Sequence, residues 1–146
     1  EQKNAHDNCG EHDALNQRHI GIGETSLNFP TSLLPVLATS RAELASIATD
    51  LADARTIALD IETYGNRKGD ALDPWRGDIR LLTLCRHHGQ VWTVDLRATG
   101  YDLGPLKDLL ERSELIAHNA KFDLLWLRVK CGLEVPKGRC TLRLMI

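Results

Sequence analysis

A run of apolar residues that ends in acids places the strongest constraint on how this chain folds. Residues 56–62 read Thr-Ile-Ala-Leu-Asp-Ile-Glu. A short apolar run of this kind is typical of a strand buried on both faces, as in sheets with helices packed on each side. The sequence therefore predicts an α/β fold in which this strand is central and acidic groups gather at its carboxyl end.

Periodicity and end signals predict the other elements. Ser40 stands three residues before Glu43, which is the capping-box pattern at a helix start. We expect helices at 41–54, 104–112 and 120–131, and further strands at 33–38, 79–85, 90–96 and 114–118. This order predicts a mixed sheet in which three antiparallel strands are continued by parallel strands, flanked by helices.

Length and composition set the domain organisation. The 146 residues, 42% of them hydrophobic, suffice for one domain with its own core. Residues 1–30 hold only eight apolar side chains, so a flexible tail or linker is expected there and the folded domain over 31–146. The longest apolar run, Leu124 to Leu127, is far short of the roughly 20 residues that span a bilayer, so no membrane partner is expected.

Charge and cysteine content narrow the classes of function. The chain has 18 Lys and Arg against 20 Asp and Glu, a net charge of -2. Any contact with nucleic acid must therefore be local, because no global basic field attracts it. The cysteines stand at positions 9, 85, 131 and 140 without a C-x-x-C pair, which argues against a structural zinc or a disulfide framework. A reducing, cytoplasmic location is expected.

The acids at the end of the central strand form the first candidate site. Side chains at i and i+2 of a strand share a face, so Asp60 and Glu62 project together. Neighbouring anions beside apolar surface are costly unless a cation lies between them. Hard oxygen ligands favour Mg²⁺ or Mn²⁺. The alternative is a solvated pair of acids at a strand end, without function.

A second polar segment follows the strand predicted at 114–118. Asn119 is expected to cap the next helix, and Asp123 falls in its first turn, where the helix dipole favours a carboxylate. These structural roles explain each residue separately. In open α/β sheets, however, ligands collect at the carboxyl ends of strands. Asp123 is therefore predicted to join Asp60 and Glu62 in a two-metal site that cuts phosphodiesters.

Two motifs together resemble a known family. Leu59-Asp60-Ile61-Glu62-Thr63 and His118-Asn119-Ala120-Lys121-Phe122-Asp123 are similar to the first two motifs of the DEDD superfamily of 3′-5′ exonucleases. Asp73-Pro74, Gly77 and Ile79-Arg80-Leu81-Leu82 also resemble the proofreading domain of family A DNA polymerases and the ribonuclease D group. The resemblance covers about residues 36–146 and implies a ribonuclease H-like fold.

The resemblance also implies roles for individual residues. The catalytic residues and metal ligands would be Asp60, Glu62 and Asp123, holding two Mg²⁺ or Mn²⁺ ions. The substrate-binding residues would be Thr63, Asn119 and Phe122. The implied substrate is a single-stranded 3′ end of DNA or RNA, and a polymerase domain in the same parent chain is compatible with the resemblance.

The third motif of the family is missing. That motif supplies a fourth carboxylate as Tyr-x-x-x-Asp or His-x-x-x-x-Asp, but after Asp123 the sequence contains no Asp, His or Tyr, and its only acid is Glu134. Cys140-Thr141-Leu142 resembles the segment that precedes the third motif. We therefore expect a domain that is truncated at its C-terminus, and a fragment that is inactive by itself.

Two other functions compete with nuclease activity. Asp60-x-Glu62-Thr63 is similar to the D-x-D-x-T motif of haloacid-dehalogenase-type phosphotransferases, but the segment from Asn119 to Asp123 has no place in that chemistry. A non-catalytic module that keeps the exonuclease fold to bind nucleic acid or a polymerase is the main alternative. The absent fourth carboxylate favours it, whereas the three acids that remain argue against it.

Aromatic and histidine side chains near these motifs have open roles. Tyr64 and Trp75 follow the central strand, where they are expected either to stack on unpaired bases or to pack against the sheet. His118 is expected either to contribute to the site or to end its strand without function. His87 and His88 fall in a predicted turn and are expected to be exposed.

Overall fold

The computed structural model describes residues 34–135 of the chain. The predicted tail at 1–30 and the segment from Cys140 to Leu142 lie outside the described residues. The elements are β1 (Val36–Ala38), α1 (Arg41–Asp50), β2 (Thr56–Tyr64), β3 (Asp78–Arg86), β4 (Val91–Asp95), α2 (Pro105–Arg112), β5 (Glu114–Ile116) and α3 (Ala120–Cys131). A short 3₁₀ turn, Asp70–Leu72, lies between β2 and β3.

The strands form one mixed sheet in the order β1-β4-β3-β2-β5. The three central strands are antiparallel, since β3 pairs with both β2 and β4 in that sense. The two edge strands are parallel to their neighbours, β1 to β4 and β5 to β2. The predicted fold class is confirmed: antiparallel strands are continued by parallel strands, and helices flank the sheet.

The central strand β2 is buried on one face only, so the prediction of burial on both faces is wrong for its first half. Ile57, Leu59 and Ile61 are buried and belong to the hydrophobic core, whereas Ala58 is exposed. The core joins these side chains to leucines and isoleucines of α1 and α2. On the opposite face Ala58, Asp60 and Glu62 are exposed, so the acids lie on the solvent side of the strand.

The helix starts show one confirmed and one wrong prediction. Ser40 and Glu43 form the predicted capping box at the start of α1. Asn119 stands at the start of α3, but it adopts the left-handed conformation (φ 57°) and makes no capping hydrogen bond with its side chain. Asparagine tolerates that conformation better than most residues, which lets the chain turn sharply from β5 into α3. Gly132, also left-handed, ends α3 as predicted.

The predicted hairpin between β3 and β4 is confirmed. β3 and β4 are joined by a tight turn that contains the exposed His87 and His88. The two described cysteines, Cys85 and Cys131, are free thiols. Burial, followed by the nearby charge of Asp78, raises the pKa of Cys131 to about 12. None of the helices in the described part of the chain is long and apolar enough to cross a membrane.

Candidate active site

The strand pairing places the two strand acids next to the start of α3. β5 pairs with β2 only as far as Ala58, which lies opposite Ile116. Asp60 and Glu62 follow Ala58 on its exposed side of β2, beyond the last residue of β5. The chain leaves β5 at this level and enters α3 through Asn119. The acids of β2 and the first turn of α3 thus meet at one edge of the sheet.

Asp123 is the buried member of the site. Its residue is only 3% exposed, and its Oδ2 atom has no hydrogen-bond partner. Burial raises the pKa of the Asp123 carboxyl, and the charge of Asp60 raises it further, while backbone N–H groups of Asp123 and Ile61 act in the opposite direction. A bound cation would offset the cost of burying this carboxylate and its repulsion from Asp60.

His118 lies within the electrostatic reach of this pair. Its side chain is exposed, and its charge acts on Asp123 in the direction that favours the ionised carboxylate. The structure therefore places Asp60 and His118 within electrostatic range of Asp123, with Glu62 on the same side of β2 as Asp60.

A β-bulge lies directly across from the strand acids, and the sequence pattern did not reveal it. Glu62 pairs with Leu81 but Thr63 pairs with Ile79, so Arg80 has no partner on β2. The Arg80 carbonyl instead accepts a hydrogen bond from the Leu96 N–H at 2.9 Å, which holds the bulge against the end of β4. Bulges bend a strand and change the direction of its side chains, which makes them frequent beside functional sites.

The predicted substrate-binding residues lie around the acids in different settings. Thr63 is half-buried and its hydroxyl donates a hydrogen bond to the Ala71 carbonyl at 2.7 Å, so it fixes the following loop. Asn119 is exposed at the turn into α3. Phe122 is half-buried, and its ring centroid lies 6.0 Å from that of Trp126. Their roles in substrate binding stay predictions.

Asp78 is the centre of a hydrogen-bonded group beside the site that sequence reasoning missed. The Tyr101 hydroxyl donates to Asp78 Oδ2 at 2.5 Å, and the Tyr64 hydroxyl lies 3.4 Å from the same atom. The Lys130 ammonium of α3 is 3.7 Å from Asp78 Oδ1. Burial alone would raise the pKa of Asp78, but the Tyr101 hydrogen bond, an N–H of Ile79 and the charge of Lys130 hold it below its usual value. No local pattern marks these partners, because they come from distant segments.

The fit to a divalent metal rests on donor type and burial. The candidate ligands Asp60, Glu62 and Asp123 offer only hard oxygen atoms, which suit Mg²⁺ or Mn²⁺. The unpaired buried Oδ2 of Asp123 is the atom that a cation would satisfy. Within residues 34–135, however, no three Asp, Glu, His or Cys side chains are grouped closely enough to hold a metal ion. The acids therefore fit a metal by their chemistry and by the closeness of Asp60 to Asp123.

Solved structures similar to this chain are nucleases with a ribonuclease H-like fold. Trypanosoma brucei RNase D in complex with RNA U12 is 22% identical with a TM-score of 0.60, over 69% of this chain and 35% of that chain. Escherichia coli RNase D, an exoribonuclease involved in structured RNA processing, is 23% identical with a TM-score of 0.57, over 70% and 26%. Brucella melitensis NrnC with bound Mg²⁺ is 24% identical with a TM-score of 0.51, over 60% and 41%.

These likenesses establish the fold, and the chain spans between about a quarter and two fifths of the length of those proteins. A comparison with curated proteins gave no significant match. The sequence itself matches the 3′-5′ exonuclease family over residues 35–145, which is most of the chain. The fold thus places the chain in the class of ribonuclease H-like domains. The chain belongs to the 3′-5′ exonuclease family of the type found in family A DNA polymerases, and its fold is similar to that of ribonuclease D.

Proposed function

We propose that this domain removes nucleotides from single-stranded 3′ ends of DNA or RNA with the help of Mg²⁺ or Mn²⁺. One observation carries the proposal: the Asp123 carboxylate is buried, one of its oxygens is unpaired, and Asp60 acts on its charge. A domain that only maintained its fold would gain stability from an apolar or amide side chain at this position. The family match supports the same activity.

Asp60, Glu62 and Asp123 would hold the metal ions in this proposal. When bound, two such ions supply a hydroxide nucleophile and neutralise charge on the attacking and leaving oxygens. The contribution of the chain itself is to position the three carboxylates. Pairing with β3 fixes the backbone that carries Asp60 and Glu62, and α3 holds Asp123 near the backbone N–H of Ile61. A rigid set of ligands would keep the reacting phosphate in line, and such positioning supplies part of the catalytic advantage.

We propose an unpaired strand as the substrate, because the features that suit nucleic acid are confined to the region of the candidate site. The net charge of -2 offers no general attraction to a duplex. The RNA bound by the trypanosome enzyme supports RNA as one substrate class, and the family's proofreading members support DNA as the other. We further propose that the parent chain carries additional domains, a polymerase among the candidates.

Hydrolysis of an end-labelled strand tests the proposal. The complete parent protein is mixed with a single strand labelled at its 5′ end, and with a matched strand whose 3′ hydroxyl is blocked. We expect stepwise shortening from the 3′ end that requires Mg²⁺ or Mn²⁺, and no shortening with Asp60→Ala. Hydrolysis that continues in EDTA, or that Asp60→Ala leaves intact, would contradict the assignment.

A non-catalytic binding module is the second candidate function. It is favoured by the lack of a three-ligand group among the described residues. In that case the parent protein binds the labelled strand and releases no nucleotide under any metal condition. The assay above separates the two functions, since both predict binding and only the first predicts metal-dependent shortening.

A further inference from the structure

The loop at 65–77, which joins β2 to β3, presents two large apolar side chains to solvent. Trp75 is 71% exposed and Leu72 is 74% exposed. Tryptophan side chains are usually well buried in folded proteins. The exposed Trp75 therefore leaves a large apolar surface in contact with water, as at sites that bind a ligand or partner. By contrast, Trp126 is fully buried and Trp92 is half-buried with its ring N–H bonded to Asp50.

Contacts to the buried Asp70 hold the 65–77 loop in its conformation. Asp70 is buried at its centre, where Oδ2 accepts the Arg67 N–H at 2.9 Å and Oδ1 lies 3.0 Å from the Arg76 guanidinium. Gly65 and Gly77 let the backbone close around Asp70, because a Cβ would come within 2.3 Å of Asp70 Cβ at Gly65 and 2.2 Å of the Asp70 carbonyl at Gly77. The exposed ring of Trp75 is therefore carried on a tight loop.

The charges of the loop suit a polyanion. Arg67, Lys68 and Arg76 are exposed cations. The two acids of the loop are engaged inside it: Asp70 as described, and Asp73 by accepting the Trp75 N–H at 2.9 Å. Arg76 is paired with Asp70, so Arg67 and Lys68 are the exposed cations of the loop that form no ion pair within the described residues. The loop surface thus combines exposed apolar side chains with positive charge, which is the combination that single-stranded nucleic acid recognises through bases and phosphates.

The loop is also fastened to the candidate active site. The Ala71 carbonyl accepts the hydrogen bond of Thr63, the residue after Glu62. Trp75 follows Ala71 by four residues, at most about 14 Å of extended chain. A strand whose 3′ end lies at the acids of β2 has unpaired bases within reach of this ring.

We propose that Trp75 is a stacking residue for an unpaired base of the substrate strand, with the cations of the 65–77 loop on its phosphates. The inference rests on the proposed function for the identity of the strand, and it adds a subsite outside the motifs that define the family. Stacking on one ring tolerates every base, so the subsite contributes affinity without sequence preference.

Binding of a short oligo(dA) strand to the full chain in EDTA tests the proposal, because hydrolysis cannot interfere there. The chain contains three tryptophans, and Trp75 is the exposed one, so stacking should quench its fluorescence. We expect Trp75→Ala to raise the Kd about tenfold by anisotropy of a labelled strand, and Trp75→Phe to raise it less, since a smaller ring still stacks.

Leu37→Ala provides the matched control, because Leu37 is also exposed (54%) but lies on β1 at the opposite edge of the sheet from β5. Its Kd should equal that of the unmodified chain. A Kd that Trp75→Ala leaves unchanged, or quenching that persists in Trp75→Phe, would overturn the inference while metal-dependent hydrolysis stood. Strand binding through Trp75 without hydrolysis by the parent protein would overturn the proposed function alone.

Discussion

At the residue scale, Asp123 is the main support for the proposed metal site. Its carboxylate is held in a buried setting by the first turn of α3, where an N-terminal helix position favours negative charge. Burial and the neighbouring Asp60 nevertheless raise its pKa. A carboxylate whose pKa is raised by burial and by a charged neighbour is a candidate for a functional group.

Replacement of this carboxylate separates function from stability. A carboxyl whose pKa is raised on folding makes the folded state less stable above its unfolded pKa, so Asp123→Asn should raise the thermal midpoint at neutral pH in metal-free buffer. The gain should vanish at acid pH, where both states are protonated. The same variant of the parent protein should lose 3′-5′ hydrolysis. A lower midpoint at neutral pH would show that the ionised carboxylate stabilises the fold.

Sequence reasoning predicted the common face of the strand acids because it depends on local spacing, and it missed features that depend on tertiary contacts. The i, i+2 spacing of Asp60 and Glu62 predicts their common face correctly. The left-handed backbone of Asn119 could not be anticipated, because an asparagine at a helix start usually caps with its side chain. Asp78 was also missed, since Tyr101 and Lys130 reach it from elsewhere in the chain.

At the element scale, the junction between β2 and β3 decides how the site is held. The β3 bulge at Arg80, the Asp78 group and the 65–77 loop all lie where these two strands diverge. Strand positions were predicted to within a few residues because alternation is a local signal. The interior of the loop was not, because its structure depends on the burial of Asp70.

The Asp78 group should make stability depend on pH in the acid range. Because the folded-state pKa of Asp78 is lowered, its contribution is present above the unfolded pKa and is lost as the pH falls through the folded value. The unfolding free energy should therefore fall as the pH drops below about 4. In denaturant titrations, Asp78→Asn should reduce this loss of unfolding free energy at acid pH. Asp108 is exposed on α2, and the control Asp108→Asn should leave the loss unchanged. Equal acid sensitivity of all proteins would contradict the role of Asp78.

The close approach of backbone at Gly77 should make it intolerant of a side chain. A Cβ there would lie 2.2 Å from the Asp70 carbonyl oxygen and 2.8 Å from that of Tyr64, and neither backbone atom can move freely. Gly77→Ala should lower the unfolding free energy by about 2 kcal/mol. Lys68→Ala in the same loop is exposed and should change it by less than about 0.5 kcal/mol. Similar values for both would mean that the loop is not closed around Asp70.

At the scale of the whole molecule, the fold and the lack of a fourth carboxylate were predictable, and the exposure of one face of β2 was not. The element order fixed a mixed sheet because each connection allows few topologies. The open face of β2 was mispredicted because burial depends on what packs against the sheet, which an apolar run does not specify. The fourth carboxylate of the family has no counterpart in residues 124–146, where Glu134 is the only acid and is engaged with Arg128 at 3.1 Å.

The 146-residue chain by itself should therefore hydrolyse nucleic acid poorly or not at all. Without a residue to orient the attacking water, the general-base contribution of about 10²- to 10⁴-fold is missing. Single-turnover hydrolysis of a 3′-labelled strand with excess chain should run at least about 100-fold below the 1 s⁻¹ typical of slower intact enzymes. A rate near that value would show that this chain already holds every residue the reaction needs.

A Mn²⁺ titration tests whether Asp60 and Asp123 form a metal site. Binding is measured as the loss of the free-ion signal in electron paramagnetic resonance, and it requires neither a substrate nor the third motif of the family. The chain should bind Mn²⁺, and Mg²⁺ should compete for the site. Asp60→Ala and Asp123→Asn should each weaken binding by at least about tenfold, while Asp108→Asn leaves it unchanged. Mn²⁺ binding that is absent from the chain, or that is equal in all four proteins, would contradict a metal site at Asp60 and Asp123.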